Sequence, residues 1–258
     1  MRLTVLTENT ACREGLTAEH GLSLYIETNG RHILFDAGQS DAFARNAPLL
    51  GIDPGRVDAA ILSHGHYDHG GGLERFLQIN SRAPVYIHPQ AFGPHYNGSG
   101  KYIGLDPALR GCGRLIPAED GLQIGPGMTL FSQIPCPFGI RPFGLCRKEE
   151  DVFLPEDFRH EQYLLVEEAG KRILISGCSH RGIQNILAHF RPDVLIGGFH
   201  FMKLDPHGQE LQDAAGYLLS RPVTYYTGHC TGEAQFRVLK ETLGPRLRAL
   251  STGLILDI

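Results

Sequence analysis

The sequence predicts an α/β fold in which two β-sheets pack face to face with helices on their outer sides. Two observations support this prediction: a β-β-α-β unit occurs twice, and the last strand of each copy ends at histidines. Residues 22–36 (LSLYIETNGRHILFD) and 163–176 (YLLVEEAGKRILIS) each read as two alternating strands joined by a two-residue turn. Such a duplication predicts a ligand site where the copies meet at their strand ends.

The remaining elements follow in chain order. The first ten residues alternate apolar and polar side chains and predict a strand, with no pattern typical of a signal peptide or a membrane span. The hairpin turns fall at Asn29-Gly30 and Ala169-Gly170. Helices are predicted over 41–50, 182–190, 209–220 and 233–243, and further strands over 57–62, 193–196, 223–227 and 254–258.

A Gly- and Pro-rich stretch separates the two copies. Residues 89–160 hold 11 of the 32 glycines and 9 of the 16 prolines, which predicts an irregular segment. Long irregular segments inside a compact domain are uncommon unless they are functional. We therefore interpret 1–258 as a single domain in which 89–160 is a substrate-covering insertion, with short strands at 84–88 and 128–134. A variable surface loop is the alternative interpretation.

Composition excludes several classes of protein. With 42% hydrophobic and 20% charged residues, the chain can bury a large core and is not disordered. Twenty-four Lys and Arg against 28 Asp and Glu give a formal charge of −4, which argues against a nucleic-acid partner. Six cysteines without a C-x-x-C pair indicate reduced thiols and a cytoplasmic location. The 13 histidines are the unusual feature, and several are clustered.

The densest cluster is the segment SHGHYDHG, which directly follows the predicted strand over 57–62. Its potential ligands His64, His66, Asp68 and His69 lie within six residues, and Gly65 gives the turn backbone freedom. Imidazole and carboxylate are the ligands that zinc, manganese and iron accept. The motif therefore predicts a divalent metal site at the end of this strand.

This segment resembles the H-x-H-x-D-H signature of the metallo-β-lactamase superfamily, and the resemblance extends over nearly the whole chain. The duplicated layout is similar to that superfamily's αβ/βα sandwich, which carries its metal centre at one edge between the halves. Four segments resemble more closely the branch of 7,8-dihydropterin-6-methyl-4-(β-D-ribofuranosyl)aminobenzene-5′-phosphate synthases; these segments cover residues 62–73, 175–187, 196–200 and 227–232.

The resemblance implies the metal ligands. His64, His66, Asp68 and His69 carry over from the signature, and His229 in the segment TGHC stands where the superfamily places its last histidine. One or two divalent ions are expected, with zinc as the first expectation and manganese, iron or magnesium as alternatives.

Two departures from the superfamily pattern leave alternatives open. Many members carry a bridging Gly-Asp where this chain reads Gly177-Cys178-Ser179-His180. The bridge is therefore lost, replaced by the Cys178 thiolate, or replaced by His180; we expect His180 to be a ligand and Cys178 to be a small buried thiol. The usual intermediate histidine is also missing, because residues 132–137 read SQIPCP.

Further assignments concern residues outside the motif. His200 follows a strand of the second copy and is expected to line the site, where it donates to a substrate phosphate, binds metal or is purely structural. Asp36 is expected to orient a ligand imidazole. The other histidines lack clustered partners and are interpreted as structural or surface groups: His20, His32, His88, His95, His160, His189 and His207.

The first functional hypothesis is a metal-dependent hydrolase of this superfamily that acts on a small phosphorylated or pterin-like, anionic metabolite, with Asp68 and His200 as catalytic residues. The alternative is a transferase of the dihydropterin–ribofuranosylaminobenzene-phosphate synthase type. A di-iron redox enzyme and a non-catalytic structural metal site rank lower. Neither a nucleic-acid nor a membrane partner is expected, and the sequence does not predict an oligomeric state.

Overall fold

The computed structural model describes residues 1–258. Its strands are β1 Arg2–Thr7, β2 Ser23–Thr28, β3 Arg31–Phe35, β4 Ala59–Ile61, β5 Val85–Ile87, β6 His95–Tyr96, β7 Leu115–Pro117, β8 Leu122–Gly125, β9 Met128–Phe131, β10 Cys146–Glu149, β11 Val152–Pro155, β12 Tyr163–Glu168, β13 Lys171–Ile175, β14 Val194–Ile196, β15 Thr224–Thr227, β16 Leu247–Ala249 and β17 Ile255–Asp257. Its α-helices are α1 Ala42–Leu49, α2 Tyr67–Gly70, α3 Leu73–Ile79, α4 Ile183–Phe190, α5 Gln209–Leu219 and α6 Glu233–Leu243.

Two seven-stranded sheets form a sandwich. The first has the order β17-β1-β2-β3-β4-β5-β7 and the second the order β16-β15-β14-β13-β12-β9-β8. Alternation along each strand assigns its side chains to two layers: Ile33 and Phe35 pack in the core between the sheets, whereas Leu34 packs with α1 and α3 outside. In the second copy Ile173 and Ile175 face the central core, while Leu174 packs with the outer helices. This arrangement confirms the predicted duplicated αβ/βα sandwich.

The duplicated hairpins form as predicted. Asn29 and Gly30 have φ of 48° and 74°, and Ala169 and Gly170 have φ of 51° and 76°. Positive φ at both central residues is the requirement of a type I′ turn, which matches the twist of the flanking strands. Each hairpin is followed by parallel pairing, of β3 with β4 and of β13 with β14. The carboxyl ends of these strands therefore bring the following loops to one edge of the sandwich.

The segment 89–160 is only partly separate from the sandwich. Three of its strands complete the main sheets: β7 pairs with β5, and the β8–β9 hairpin extends the second sheet through β12. The sequence predicted a strand over 128–134, where β9 lies, but it did not predict β7 or β8, because strands of three or four residues show almost no periodicity in sequence. The part outside the sandwich is built on a small sheet of order β11-β10-β6. Its role in covering substrate stays a prediction.

None of the helices combines the length and the apolar composition that a bilayer crossing requires.

Candidate metal centre

The loop after β4 carries the predicted ligand motif. Its first two histidines lie in the loop, and its acid and last histidine lie in the single-turn helix α2. A Cβ at Gly65 would lie 1.9 Å from the carbonyl oxygen of Ala91. Glycine is therefore required at this position, because the loop backbone packs directly against the segment that follows β5.

A first cluster joins this loop to the loop after β13. The Nε2 atoms of His64 and His180 lie 3.3 Å apart, and Cys178 completes a group whose potential ligand atoms all lie within 4.8 Å of one another. The His66 ring packs against both imidazoles, with its centroid 4.5 Å from that of His64 and 4.9 Å from that of His180. The structure thus brings together side chains from the two copies.

A second cluster lies beside the first. His69 Nε2 lies 3.1 Å from His229 Nε2 and 3.2 Å from Cys178 Sγ. Asp68 Oδ2 lies 3.3 Å from His229 Nε2 and 3.9 Å from His69 Nε2. All six residues that the sequence nominates as ligands therefore lie close together, with His66 packed on the first cluster; five of them are buried, and the Asp68 side chain is 13% exposed.

Hydrogen bonds on the outer side of the imidazoles determine which ring nitrogen faces the centre. His69 Nδ1 lies 2.7 Å from Asp36 Oδ2, and an ionised carboxylate can only accept, so Nδ1 carries the proton. Ser63 Oγ also donates its only hydrogen to Asp36 Oδ2, at 2.7 Å. In its contact with His64 Nδ1, at 2.8 Å, the Ser63 oxygen must therefore accept. In the neutral form both rings present an Nε2 lone pair to the centre. The predicted contact of Asp36 with a motif imidazole is confirmed.

His229 is oriented in the same way by the N-terminal segment. Its Nδ1 lies 3.2 Å from Asn9 Oδ1, while Asn9 Nδ2 donates to the His229 carbonyl oxygen. Two further buried ring nitrogens, His180 Nδ1 and His66 Nε2, have no hydrogen-bond partner. Imidazole nitrogens that converge in a buried space, two of them without any partner, form together with a carboxylate and a thiol a set of groups that fits a divalent cation.

Burial keeps most of these imidazoles neutral. It lowers the pKa of His64 and His180 well below the usual range, with neighbouring imidazoles adding to the effect, and it lowers the pKa of His66 to about 3. Burial alone would raise the pKa of Asp68, but His69 and the adjacent imidazoles hold it well below the usual range. Neutral imidazole and ionised carboxylate are the protonation states that bind metal.

Sequence reasoning missed two histidines beside the centre. His95 and His160 were interpreted as structural, yet they form a buried group with His66 in which potential ligand atoms lie within 4.8 Å of one another. The Nδ1 atom of each ring makes one hydrogen bond. His95 Nδ1 donates to Glu156 at 2.7 Å, and His160 Nδ1 accepts from the Gly65 amide at 2.9 Å. Both Nε2 atoms lack a partner. The only sequence signal was the position of His160 just ahead of β12.

His20 was also interpreted too simply. Its Nε2 lies 3.4 Å from Asp68 Oδ2, and its ring packs 4.7 Å from that of His229. The side chain is 43% exposed, so it lies at the rim of the second cluster rather than in its interior. The contact joins residues far apart in sequence, which no local spacing reveals.

The centre borders a cavity of about 390 Å³. His180 and His200 lie in its wall together with Phe143, Phe199 and Phe201, and α4 begins beside it. Neither ring nitrogen of His200 has a hydrogen-bond partner, and its ring centroid lies 4.2 Å from that of His180. The structure therefore places His200 in the lining of the site, as the sequence predicts.

Comparison with known proteins identifies the family. A family model described as the metallo-β-lactamase superfamily matches residues 16–229, a range that includes both clusters. The chain belongs to the metallo-β-lactamase superfamily. The superfamily fold extends over the whole chain, because a crystal structure described as a metal-dependent hydrolase of the β-lactamase superfamily superposes with a TM-score of 0.86 at 29% identity, covering 100% of this chain and 99% of that one.

Relatives within the superfamily are similar over most of their length. The 7,8-dihydropterin-6-methyl-4-(β-D-ribofuranosyl)-aminobenzene-5′-phosphate synthase of Methanocaldococcus jannaschii is 30% identical, with 93% of this chain and 90% of that protein covered. An uncharacterised protein of the same organism is 29% identical, with 89% and 90% covered. The resemblance to the synthase branch, expected from four short segments, is thus confirmed over 93% of the chain.

Proposed function

We propose that this protein is a metal-dependent hydrolase that acts in the cytoplasm on a small phosphorylated or pterin-like metabolite. The two neighbouring clusters hold up to two divalent ions: His64, His66 and His180 hold one, and Asp68, His69 and His229 hold the other. Zinc is the first candidate, because neutral imidazoles dominate the set.

One observation carries this proposal. The Nε2 atoms of His64, His69 and His229 converge with their lone pairs inward, because Asp36, Ser63 and Asn9 occupy their Nδ1 atoms. With neutral imidazoles, such an arrangement places acceptors against acceptors in a buried space, which is unfavourable unless a cation or a proton lies between them. Burial lowers the pKa of His69, but Asp36 and Asp68 outweigh it and raise this pKa to about 9, so the surroundings favour a positive charge in this place. Membership of the superfamily supports the same interpretation.

The chemistry follows from the side chains around the centre. A divalent ion bound here supplies Lewis acidity, which polarises a phosphoryl or carbonyl oxygen and makes an attacking water more acidic. In this proposal Asp68, whose pKa is held well below its usual range, orients that water and accepts its proton. We assign to His200 a hydrogen bond to a substrate oxygen that gains negative charge, because its ring lies in the cavity wall and its ring nitrogens have no partner.

The cavity beside the centre supports a small substrate. Its volume of about 390 Å³ lies in the range of metabolite-binding pockets. Phenylalanine rings on one wall suit a flat ring system, and the polar side chains Gln184, Asn185 and Asp213 offer hydrogen bonds. The start of α4 directs unpaired backbone N–H groups to this region, which favours an anionic group.

Elemental analysis of the purified protein and turnover measurements test the proposal together. The substrates are a panel of phosphodiesters, lactones, thioesters and a dihydropterin diphosphate. We expect one or two transition-metal ions per chain and metal-dependent turnover of at least one phosphorylated compound. A protein that binds no divalent metal contradicts the proposal, and a metal-loaded protein without turnover of any substrate supports a structural site instead.

A transferase is the second candidate, favoured by the 30% identity to the M. jannaschii synthase over 93% of this chain. In that reaction type, the ion holds a diphosphate leaving group while an acceptor replaces water. Incubation of dihydropterin diphosphate with and without an aminobenzene ribofuranosyl phosphate distinguishes the two. A coupled product formed only with the acceptor supports transfer, and release of pterin alcohol without it supports hydrolysis.

A further inference from the structure

A second cavity lies beside the metal centre and shares no lining residue with the first. Its volume is about 580 Å³, against about 390 Å³ for the first cavity, which has His180 and His200 in its wall. The segment after β5, strand β10 of the small sheet and the segment that leads to β12 form its wall, which includes His95 and His160. A cavity of this volume accommodates a metabolite-sized ligand.

A row of imidazoles connects the two cavities through the metal centre. His180, in the wall of the first cavity, has its ring centroid 4.9 Å from that of His66. The His66 centroid lies in turn 5.3 Å from that of His160 and 5.6 Å from that of His95, and both rings are in the wall of the second cavity. The Nε2 atoms of His95 and His160 are buried and have no hydrogen-bond partner. The second cavity therefore reaches the centre on the side of His66.

Cationic side chains outnumber carboxylates in the wall of the second cavity. The cations are Arg110, Arg147, Lys148 and Arg159, and the carboxylates are Glu149, Glu156 and Asp157. The whole chain has a formal charge of −4, so the sign of the charge is reversed locally. A cavity lined by an excess of one charge concentrates ligands of the opposite charge. This wall therefore favours an anion.

Two of these cations have no buried carboxylate as a partner. Arg110 donates to the Phe92 carbonyl oxygen at 2.7 Å and packs over the Phe92 ring, but it forms no ion pair. Lys148 pairs only with Asp151, whose side chain is fully exposed. Because exposed ion pairs contribute little free energy, Lys148 can exchange this partner for a ligand at small cost. Arg110 and Lys148 are thus available to an anionic ligand.

The carboxylates of the wall already have other partners. Glu156 is buried and accepts from His95 Nδ1 at 2.7 Å. Glu149 and Asp157 lie 2.8 Å and 3.3 Å from the guanidinium group of Arg147. These contacts leave the charges of Arg110 and Lys148 uncompensated.

We propose that the second cavity binds the phosphate monoester group of an organic substrate, and that Arg110 and Lys148 supply the positive charge for it. This inference rests on the proposed function and specifies its substrate class. Guanidinium and ammonium groups bind phosphate through charge-assisted hydrogen bonds. The Phe92 ring in the same wall offers an apolar surface to the carbon part of the molecule. The phosphate is held in this cavity while the reacting group extends past His66 to the metal centre.

Binding of phenylphosphonate tests the assignment, because this analogue of a phosphate monoester resists hydrolysis. Calorimetry measures its affinity for purified protein of known metal content, in the wild type, Arg110→Gln, Lys148→Gln and Arg141→Gln. We expect each of the first two variants to lose affinity about 10-fold. Arg141→Gln removes the same charge from the wall of the first cavity and should bind like the wild type.

Inhibition of turnover identifies the molecule that carries the phosphate. If the phosphate is one end of the hydrolysed substrate, phenylphosphonate competes with that substrate, and Arg110→Gln raises KM with little change in kcat. If the phosphate belongs to a separate acceptor, phenylphosphonate competes with the acceptor and not with the first substrate. Both patterns support the proposal, whereas equal inhibition of the wild type and Arg110→Gln contradicts it.

The outcomes separate this inference from the proposed function. Unchanged affinity in Arg110→Gln and Lys148→Gln, or no binding to the wild type, overturns the phosphate site and leaves the metal-dependent function standing. A loss confined to Arg141→Gln assigns the anion to the first cavity and overturns the inference as well. A protein without metal whose two cavity variants still lose affinity supports the phosphate site and contradicts the proposed function. If one variant does not fold, the other decides.

Discussion

His69 Nδ1 lies 2.7 Å from Oδ2 of Asp36, the residue that directly follows β3. The same oxygen accepts the Ser63 hydroxyl, through which it determines the tautomer of His64 as well. One buried carboxylate therefore orients an imidazole in each cluster. The backbone of Asp36 has φ of 58°, an uncommon conformation for a non-glycine residue, and Ser63 N also donates to this carboxylate.

Asp36→Asn is expected to weaken metal binding about 10- to 100-fold, the usual effect of removing such a partner. An amide oxygen cannot accept from both Ser63 and His69 as strongly as a carboxylate does. Competition with a chromophoric chelator measures the affinity. Asp58→Asn is the control, because Asp58 pairs with His32 and Arg82 away from the centre. Equal affinities of the two variants would contradict the orienting role.

His66→Ala is expected to remove metal and any turnover, because its ring packs between the first cluster and the His95–His160 pair. Elemental analysis and the substrate panel measure the two effects. The exposed His207 provides the control, and His207→Ala should match the wild type in both. Unchanged metal content in His66→Ala would show that this residue is not a ligand.

Gly65→Ala is expected to lower both the melting temperature and the metal content. The added methyl group meets the Ala91 carbonyl oxygen, so the ligand loop must move away from it. Gly216→Ala, in the middle of α5 with free space around its Cβ position, should instead stabilise the protein by about 0.5–1 kcal/mol. Thermal unfolding measures both. Similar melting temperatures for the two variants would indicate that the loop yields easily.

The metal-free protein should be most stable near the unperturbed histidine pKa of about 6.5. The pKa of His66 is lowered to about 3, so its contribution is complete above pH 6.5 and is lost as the pH falls toward 3. The pKa of His69 is raised to about 9, as Asp36 and Asp68 outweigh burial, so its contribution is complete below pH 6.5 and is lost as the pH rises through 9. Denaturant unfolding at a series of pH values measures this profile.

His66→Gln should reduce the slope of stability against pH on the acid limb of that profile, by the equivalent of up to about one proton, and should leave the alkaline limb unchanged. His69→Gln should do the reverse. A wild-type profile without a maximum between the two limbs would show that these imidazoles do not titrate as their surroundings require.

The hairpins of the fold were predictable from sequence, whereas the short strands at the edges of the two sheets were not. The turns at Asn29-Gly30 and Ala169-Gly170 follow from the chemistry of adjacent residues, and the strands they join have clear alternation. The strands β7 and β8 have three and four residues, and only pairing with a neighbouring sheet defines them. A segment rich in Gly and Pro therefore concealed strands of the main sandwich.

The candidate site was likewise predictable from sequence only in part. The motif histidines were found because they lie within six residues of each other, and His229 was found through a family resemblance. His95 and His160 reach His66 only through the packing of distant segments, so their spacing carries no signal. The position of Cys178 between two clusters likewise depends on how the two sheets pack, which one sequence does not reveal.

The candidate ligands come from both sheets of the sandwich: the 64–69 segment follows the first sheet, and Cys178, His180 and His229 follow strands of the second. Cleavage of the backbone between β9 and β12 would therefore give two fragments that each hold an incomplete set of donor atoms. Reassembly of such fragments should depend on added zinc, because an ion that needs donor atoms from both fragments holds them together.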